Sequence, residues 1–260
     1  VIRLKTKAEI AKMREAGRIL ASILEHLVAM VEPGIRTIDL EMEAKRMMNE
    51  AHVEPTFLGQ PGLVADAKPY PCALCVSVNE EVIHGIPSKR EIKEGDLVSI
   101  DCGVTKDDLI ADAAVSVIAG DGQGMVQRLL ECTRQALEDA IKQAKAGAHL
   151  HDISYAVQKR AESEGFGVVR EFCGHGVGRS LHEDPPVPNY GKLGTGPVLR
   201  TGMTLAIEPM ITMGSPSVEV LLDKWTIVTV DRLPAAHFEH TIAITEDEPL
   251  VLTRGEKGIW

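Results

Sequence analysis

The chain has 260 residues, of which 44% are hydrophobic and 25% charged, and it carries a net charge of −10. That composition buries a large core and excludes a disordered or fibrous protein, while length alone leaves one sizeable domain or two ordinary ones open. An acidic balance with no long basic run argues against nucleic acid as a specific partner.

Thr6 with Glu9 three residues later forms a capping-box pattern that predicts a helix start. Ile10, Met13, Gly17, Leu20, Leu24 and Leu27 then recur at helical spacing until Pro33-Gly34 stops them. Glu25 and His26 interrupt the most apolar part, Ile19 to Val31, so it is too short and too polar to span a bilayer. The start also lacks the features of a signal peptide. A second helix is predicted from just after Thr37 to about Ala51. Between Cys75 and Ile118 the pattern is strand-like, at 75–78, 97–100 and 109–118. The second half repeats the order, with helices around 125–146 and 152–164 before strand-like segments return. Five cysteines, Cys72, Cys75, Cys102, Cys132 and Cys173, make no dense disulfide framework, so a reducing cytoplasm is the expected location.

Two local matches support an internal repeat. Gly34 stands five residues before Asp39, as Gly147 does before Asp152. Gly95-Asp-Leu-Val-Ser-Ile-Asp101 parallels Gly202-Met-Thr-Leu-Ala-Ile-Glu208, each running from glycine to an acid that closes a strand. Such a repeat implies two similar α+β halves packed about a pseudo-twofold axis, with a shared site where they meet.

The acids in these strands lack sequence neighbours to pair with. The segment 97–118 reads as a hairpin turning at Lys106-Asp107, which sets Asp101 directly opposite Asp112 on one sheet face. Val98, Ile100 and Cys102 surround the first, and Ala111, Ala113 and Ala114 the second. One acid near a strand is ordinarily a turn cap or an exposed rung, but an apolar pair calls for pairing, protonation or a cation. Glu208, after Leu205-Ala-Ile207, and Glu239, in Phe238-Glu-His-Thr-Ile-Ala, sit in equally apolar strands. Four such acids with a histidine nearby suit two divalent transition ions. The histidines available are His175 and His182, in Gly174-His-Gly-Val-Gly-Arg-Ser-Leu-His-Glu, and His84, in Val82-Ile-His-Gly-Ile-Pro. Their spacing is neither a zinc-finger nor a zincin spacing, and one ligand with one substrate-contacting histidine is the better reading.

Other motifs fall away. Cys72-Ala-Leu-Cys75 has no second pair to complete a zinc site, and core or pocket cysteines are expected. Gly174-His-Gly-Val-Gly does not match the dinucleotide fingerprint, and Glu183-Asp-Pro-Pro forbids the helix that would hold a pyrophosphate. There is no Walker loop, nucleophile elbow or second histidine after His182-Glu183.

These residues together resemble the type I methionine aminopeptidases, metallopeptidases of the pita-bread fold, over almost the whole chain, from Leu4-Lys-Thr to Leu252-Thr-Arg. The motifs that carry the resemblance are Ser77-Val-Asn-Glu-Glu-Val-Ile-His84-Gly-Ile-Pro, Asp101 with Asp112 eleven residues on, Gly174-His175-Gly-Val-Gly, Leu181-His182-Glu, Ile207-Glu208-Pro and Phe238-Glu239-His-Thr. The resemblance implies an α+β pita-bread fold, two pseudo-symmetric halves around a central antiparallel sheet. It implies one catalytic domain over 1–260, with halves of roughly 1–120 and 121–260. Asp101, Asp112, His175, Glu208 and Glu239 would hold two divalent metal ions, cobalt, manganese, iron or zinc, with Asp112 and Glu239 bridging. Glu208 would take the proton of the attacking water, His182 would contact the carbonyl oxygen and His84 the peptide nitrogen. Phe57, Tyr70, Cys75, Leu181 and Trp225 would line the methionine slot. The implied activity is removal of the initiator methionine from nascent polypeptides when the second residue is small, in the cytoplasm, with transient ribosome contact and no membrane.

Related pita-bread prolidases and Xaa-Pro aminopeptidases carry an extra N-terminal domain and a shorter gap than the 31 residues from 208 to 239 here. Type II methionine aminopeptidases insert a helical subdomain between the ligands placed at His175 and Glu208, and the 33 residues here leave no room for it. Two departures fall near the expected pocket: an apparent insertion from Leu63 to Pro69, and Leu181 where an aromatic is common in the family.

Overall fold

The computed structural model describes residues 1–62, 66–255 and 258. Thr6 begins the first helix as its spacing predicts. Its hydroxyl accepts the Glu9 N–H at 3.2 Å, and the Glu9 carboxylate accepts the Thr6 N–H at 2.8 Å, satisfying two donors that a helix start otherwise leaves unpaired. The helix α1 (Lys7–Met30) follows; α2 (Thr37–Glu50), α3 (Gly124–Gln143) and α4 (Leu150–Ser163) complete the helices among the described residues. None of them is long and apolar enough to cross a membrane.

The sequence parallels reappear as parallel hydrogen bonds. Asp39 and Asp152 cap α2 and α4 by accepting the backbone N–H of Arg36 at 3.1 Å and of His149 at 2.9 Å. Gly34 and Gly147, five residues before those acids, have φ of 99° and 88°, a left-handed conformation that glycine adopts without a Cβ clash. Gly34 donates to the Ile92 carbonyl at 2.8 Å and Gly147 to the Leu199 carbonyl at 2.9 Å. Gly95 donates to Ala119 and Gly202 to Ile244 in the same way, at 2.8 and 3.0 Å. The architecture is therefore α+β, with two pseudo-symmetric halves around a central antiparallel sheet.

That sheet runs in the order Glu54–Pro55, Leu97–Lys106, Leu109–Ile118, Glu239–Ala243, Thr204–Ile207, Gly174–Gly176, Glu183–Val187. Leu74–Val78 pairs with Leu97–Lys106, and Leu250–Val251 with Glu239–Ala243. The halves join where Glu239 pairs with Ala114 and His240 with Ala113. Alternation along each strand assigns the two faces. Val98, Ile100 and Cys102 on one strand and Ala111, Ala113 and Val115 on the next enter the main core with Leu20, Leu24 and Leu27 of α1. Asp101 and Asp112, one residue out of phase, face the other way.

The hairpin register differs from the sequence expectation. Asp107 and Asp108 are the two turn residues, with φ of 50° and 61°, so the turn centre lies one residue later than Lys106-Asp107. A two-residue hairpin turn with positive φ at both positions favours Asp over Lys, because the short acid tolerates the left-handed region. Asp101 consequently pairs with Ala114, and Asp112 with Gly103. Moving a turn centre by one residue moves the register by two, so both acids stay on one face as diagonal neighbours.

Candidate metal centre

Strand registry alone collects the acids. Asp101 lies opposite Ala114, and Ala114 opposite Glu239, so a small residue separates two carboxylates in a row across three strands. His240 pairs with Ile207, which brings Glu208, the next residue on that strand's end, beside Glu239. His175 pairs with Ala206, two residues before Glu208 and therefore on the same face. The strand bearing His175 packs closely, since a Cβ on Gly174 would lie 2.3 Å from the Ala206 carbonyl oxygen.

Asp112, His175 and Glu239 each offer a ligand atom within 4.8 Å of the other two. His175 Nε2 lies 3.5 Å from Glu208 Oε1 and 4.0 Å from Asp112 Oδ2. Its Nδ1 sits 2.9 Å from the Gly176 carbonyl, and a carbonyl only accepts, so the proton is on Nδ1. The Nε2 lone pair then points at the carboxylates, the polarity of a metal-ligating imidazole with its outer hydrogen bond in place.

Asp101 Oδ1, Asp112 Oδ1 and Glu239 Oε1 are buried without a hydrogen-bond partner among the described residues. Burial pushes all four carboxyls above their ordinary range, and for Asp112, Glu208 and Glu239 the neighbouring carboxylates push further. His175 is lowered to about 4, by burial first and then by His182. A protein-only environment thus disfavours every charge the cluster would carry. Unpartnered buried oxygens beside a neutral imidazole fit divalent cations of the transition series.

A cavity of about 430 Å³ opens over this floor. Every residue expected from the sequence lines it: the five ligand candidates, His84 and His182, and Phe57, Tyr70, Cys75, Leu181 and Trp225. Tyr70 and Trp225 meet edge to face at 4.9 Å between ring centroids. The Tyr70 hydroxyl donates to the Leu74 or Gly85 carbonyl, each at 3.1 Å, and the Trp225 indole N–H donates to the Lys68 carbonyl at 2.9 Å. Those bonds satisfy the polar ends of both rings and leave their apolar edges to the cavity. Lys68 belongs to the predicted insertion, of which Leu63, Val64 and Ala65 lie outside the described residues. Cys72 and Cys75 are buried free thiols, as expected, and Cys75 faces the cavity.

The family model described as metallopeptidase family M24 matches residues 11–246. The chain belongs to that family. Within it the chain is similar to methionine aminopeptidase 1 of Bacillus subtilis, 46% identical over 96% of this chain and 98% of that protein, and to the methionine aminopeptidase of Aquifex aeolicus, 45% identical over 97% and 98%. The crystal structure of the methionine aminopeptidase from Thermotoga maritima superposes with a TM-score of 0.93 at 48% identity, covering 97% and 99% of the two chains. A Pyrococcus furiosus prolidase shares the fold at a TM-score of 0.75 and 23% identity, covering 97% of this chain and 66% of its own. The chain is thus an M24 aminopeptidase, a metal-dependent hydrolase of the methionine aminopeptidase group with the pita-bread fold.

Phe172 and His237 lie at this site without having been singled out from the sequence. Phe172 lines the cavity and meets His84 edge to face at 6.1 Å; its position three residues before His175 was the available signal. His237 is buried with Nε2 3.8 Å from Glu208 Oε2, and neither ring nitrogen has a hydrogen-bond partner among the described residues. It stands two residues before Glu239, in a strand (Ala235–His237) that pairs outside the central sheet.

Proposed function

We propose that this enzyme removes the N-terminal methionine from polypeptides whose second residue is small, using two divalent ions held by Asp101, Asp112, His175, Glu208 and Glu239. The observation that carries the reading is the set of unpartnered buried carboxylate oxygens on one sheet face around a neutral His175. Asp112 and Glu239 would be the ligands shared by the ions, which would be cobalt, manganese, iron or zinc. When bound, the ions supply Lewis acidity and the positive charge that the buried carboxylates balance.

The chain's own groups do the rest. Glu208, at the open end of its strand, accepts the proton of the attacking water. His182 hydrogen-bonds the carbonyl oxygen of the first residue, and His84 contacts the nitrogen of the peptide bond that breaks. Burial holds His84 at about 4, so at neutral pH it is an uncharged hydrogen-bonding group. Phe57, Tyr70, Cys75, Leu181 and Trp225 take the methionine side chain, whose polarisable thioether suits aromatic and sulfur neighbours. The second side chain lies between His84 and His182, where only a small one fits.

Residues 1–260 act as one catalytic domain with halves of roughly 1–120 and 121–260, and the shared floor between the halves supports that reading. The substrates are N-termini of nascent polypeptides, met in the cytoplasm through transient contact with the ribosome. Assaying Met-Ala-Ser, Met-Lys-Ser, Leu-Pro and Leu-Pro-Ser under one metal condition tests the specificity: cleavage is expected for Met-Ala-Ser alone. Cleavage of the Leu-Pro substrates without Met-Ala-Ser overturns it in favour of a prolidase-like enzyme.

A further inference from the structure

His182 sits on an irregular loop between the strands Gly174–Gly176 and Glu183–Val187. That loop is held by the Gly178 carbonyl, which accepts the Ile110 N–H at 2.8 Å, and by the Val177 N–H, which donates to the Thr204 carbonyl at 3.2 Å. A further set of ties converges on Glu183. Its Oε1 accepts the N–H groups of Arg179 at 2.8 Å and Ser180 at 3.2 Å, and its Oε2 accepts from Lys5 Nζ at 2.5 Å. The two paired side chains are only 5% and 6% exposed. Lys5 is itself fixed, its N–H donating to the Gly202 carbonyl at 2.7 Å and its Nζ to the Arg3 carbonyl at 3.3 Å. A Cβ on Gly178 would lie 2.2 Å from Lys5 Cε, so the lysine stem lies directly against the loop. Arg179 adds a second tie, donating to Glu9 at 2.9 Å, the residue that closes the capping box of α1.

We infer that the buried Lys5–Glu183 pair is a positioning device for the reaction, holding the loop so that His182 meets the substrate carbonyl. Replacing a buried ion pair by apolar residues is often neutral for stability, so stability alone does not call for this one. What it supplies is direction. Glu183 is the residue after His182, and its carboxylate ties the loop's backbone N–H groups to an anchor outside the cavity. Lys5 does not line the cavity, so its removal reaches the site only through this loop, in which Leu181 is kept in the slot by its apolar packing and His182 depends on the tie through Glu183.

The inference rests on the role given to His182 above, and a double-mutant cycle on the metal-loaded full chain tests it with Met-Ala-Ser as substrate. Lys5→Met is expected to lower kcat about tenfold with KM changed by less than about twofold, the pattern of an interaction expressed only in the transition state. Metal content stays unchanged, and Lys5→Arg restores most of the rate. In a His182→Ala background Lys5→Met costs less than about twofold, because the group it orients is gone. Equal losses in both backgrounds, or an unchanged kcat in the single variant, overturn the inference. If Lys5→Met does not fold, Glu183→Gln, which keeps an oxygen for the Arg179 and Ser180 N–H groups, goes through the same cycle with the same outcomes. Full activity of His182→Ala alone shows that the role given to His182 is wrong; it overturns the inference by removing its target, and it differs from the additive losses that would condemn the pair alone.

Discussion

The two halves close their central strands on different plans. In the first half, Leu97–Lys106 and Leu109–Ile118 are joined by two residues and run in unbroken register. In the second, the strand ending at Ile207 and the one beginning at Glu239 are joined by an excursion that forms the strands Met210–Thr212, Val218–Val220, Ile227–Thr229 and Ala235–His237. The first half therefore contributes a rigid pair of acids, Asp101 and Asp112. The second contributes acids at equivalent depth and also delivers Trp225 to the cavity wall and His237 behind Glu208. A duplicated frame fixes the floor, and the asymmetric excursion in one copy adds Trp225 to a wall that Phe57, Tyr70 and Cys75 of the other half begin.

The sharpest way to break that division is to remove a floor residue from the regular half. Asp112→Ala is expected to abolish metal binding and to lower turnover of Met-Ala-Ser by at least about 10³-fold, since it takes away a carboxylate that no neighbour replaces. Metal analysis beside the kinetics checks it; a variant that keeps its full metal content contradicts the reading of Asp112 as a metal ligand. His182→Ala, in the second half but off the floor, is expected to keep its metal and lose about 10²–10³-fold in kcat, a usual cost for one hydrogen-bonding catalytic group. If it empties the site as Asp112→Ala does, His182 belongs with the ligands.

The floor was legible in the sequence because its rule is local. Asp101, Asp112, Glu208 and Glu239 stand among apolar neighbours at strand spacing, and period-two alternation keeps paired acids on one face for any register shift of an even number of residues. That is why the hairpin could turn at Asp107-Asp108 and not at Lys106-Asp107 without separating the acids. The wall was less legible. Tyr70 and Trp225 are remote in sequence, their contact depends on the path of two loops, and only the family resemblance brought them together. His237 escaped notice because its strand pairs outside the central sheet, so no alternation argument from Glu239 reaches it.

Trp225→Ala sharpens the contrast from the wall side. It removes an apolar face and the indole bond to the Lys68 carbonyl, so KM for Met-Ala-Ser should rise about tenfold, which corresponds to about 1.4 kcal/mol, while metal content and kcat change little. A loss confined to kcat places Trp225 in the chemistry and not in the wall.

The smallest effect concerns stability and pH in metal-free protein. Asp112, Glu208 and Glu239 have folded-state values raised well above their ordinary ones by burial and by one another. Between their unfolded and folded values the native state binds more protons than the unfolded chain, so stability falls as pH rises through that window. The buried histidines act oppositely: His84 and His175 lie at about 4 and His237 at about 3. They cost stability as pH falls below their ordinary 6.5, and their slope opposes that of the acids there. From about pH 7.5, a unit above their ordinary value, the histidines are neutral in both states and the acids act alone. The stripped protein should therefore lose Tm as pH rises from 7.5 to 8.5, by about 3–5 °C for each acid that stays protonated in the fold over that unit. With manganese or cobalt added, deprotonated ligands are the binding form, so the slope should vanish or reverse. Differential scanning calorimetry of stripped and loaded protein across that range reads both slopes. A stripped protein whose Tm rises with pH would mean that the floor acids are already ionised without a cation, and the division between a metal-dependent floor and a self-sufficient wall would fail.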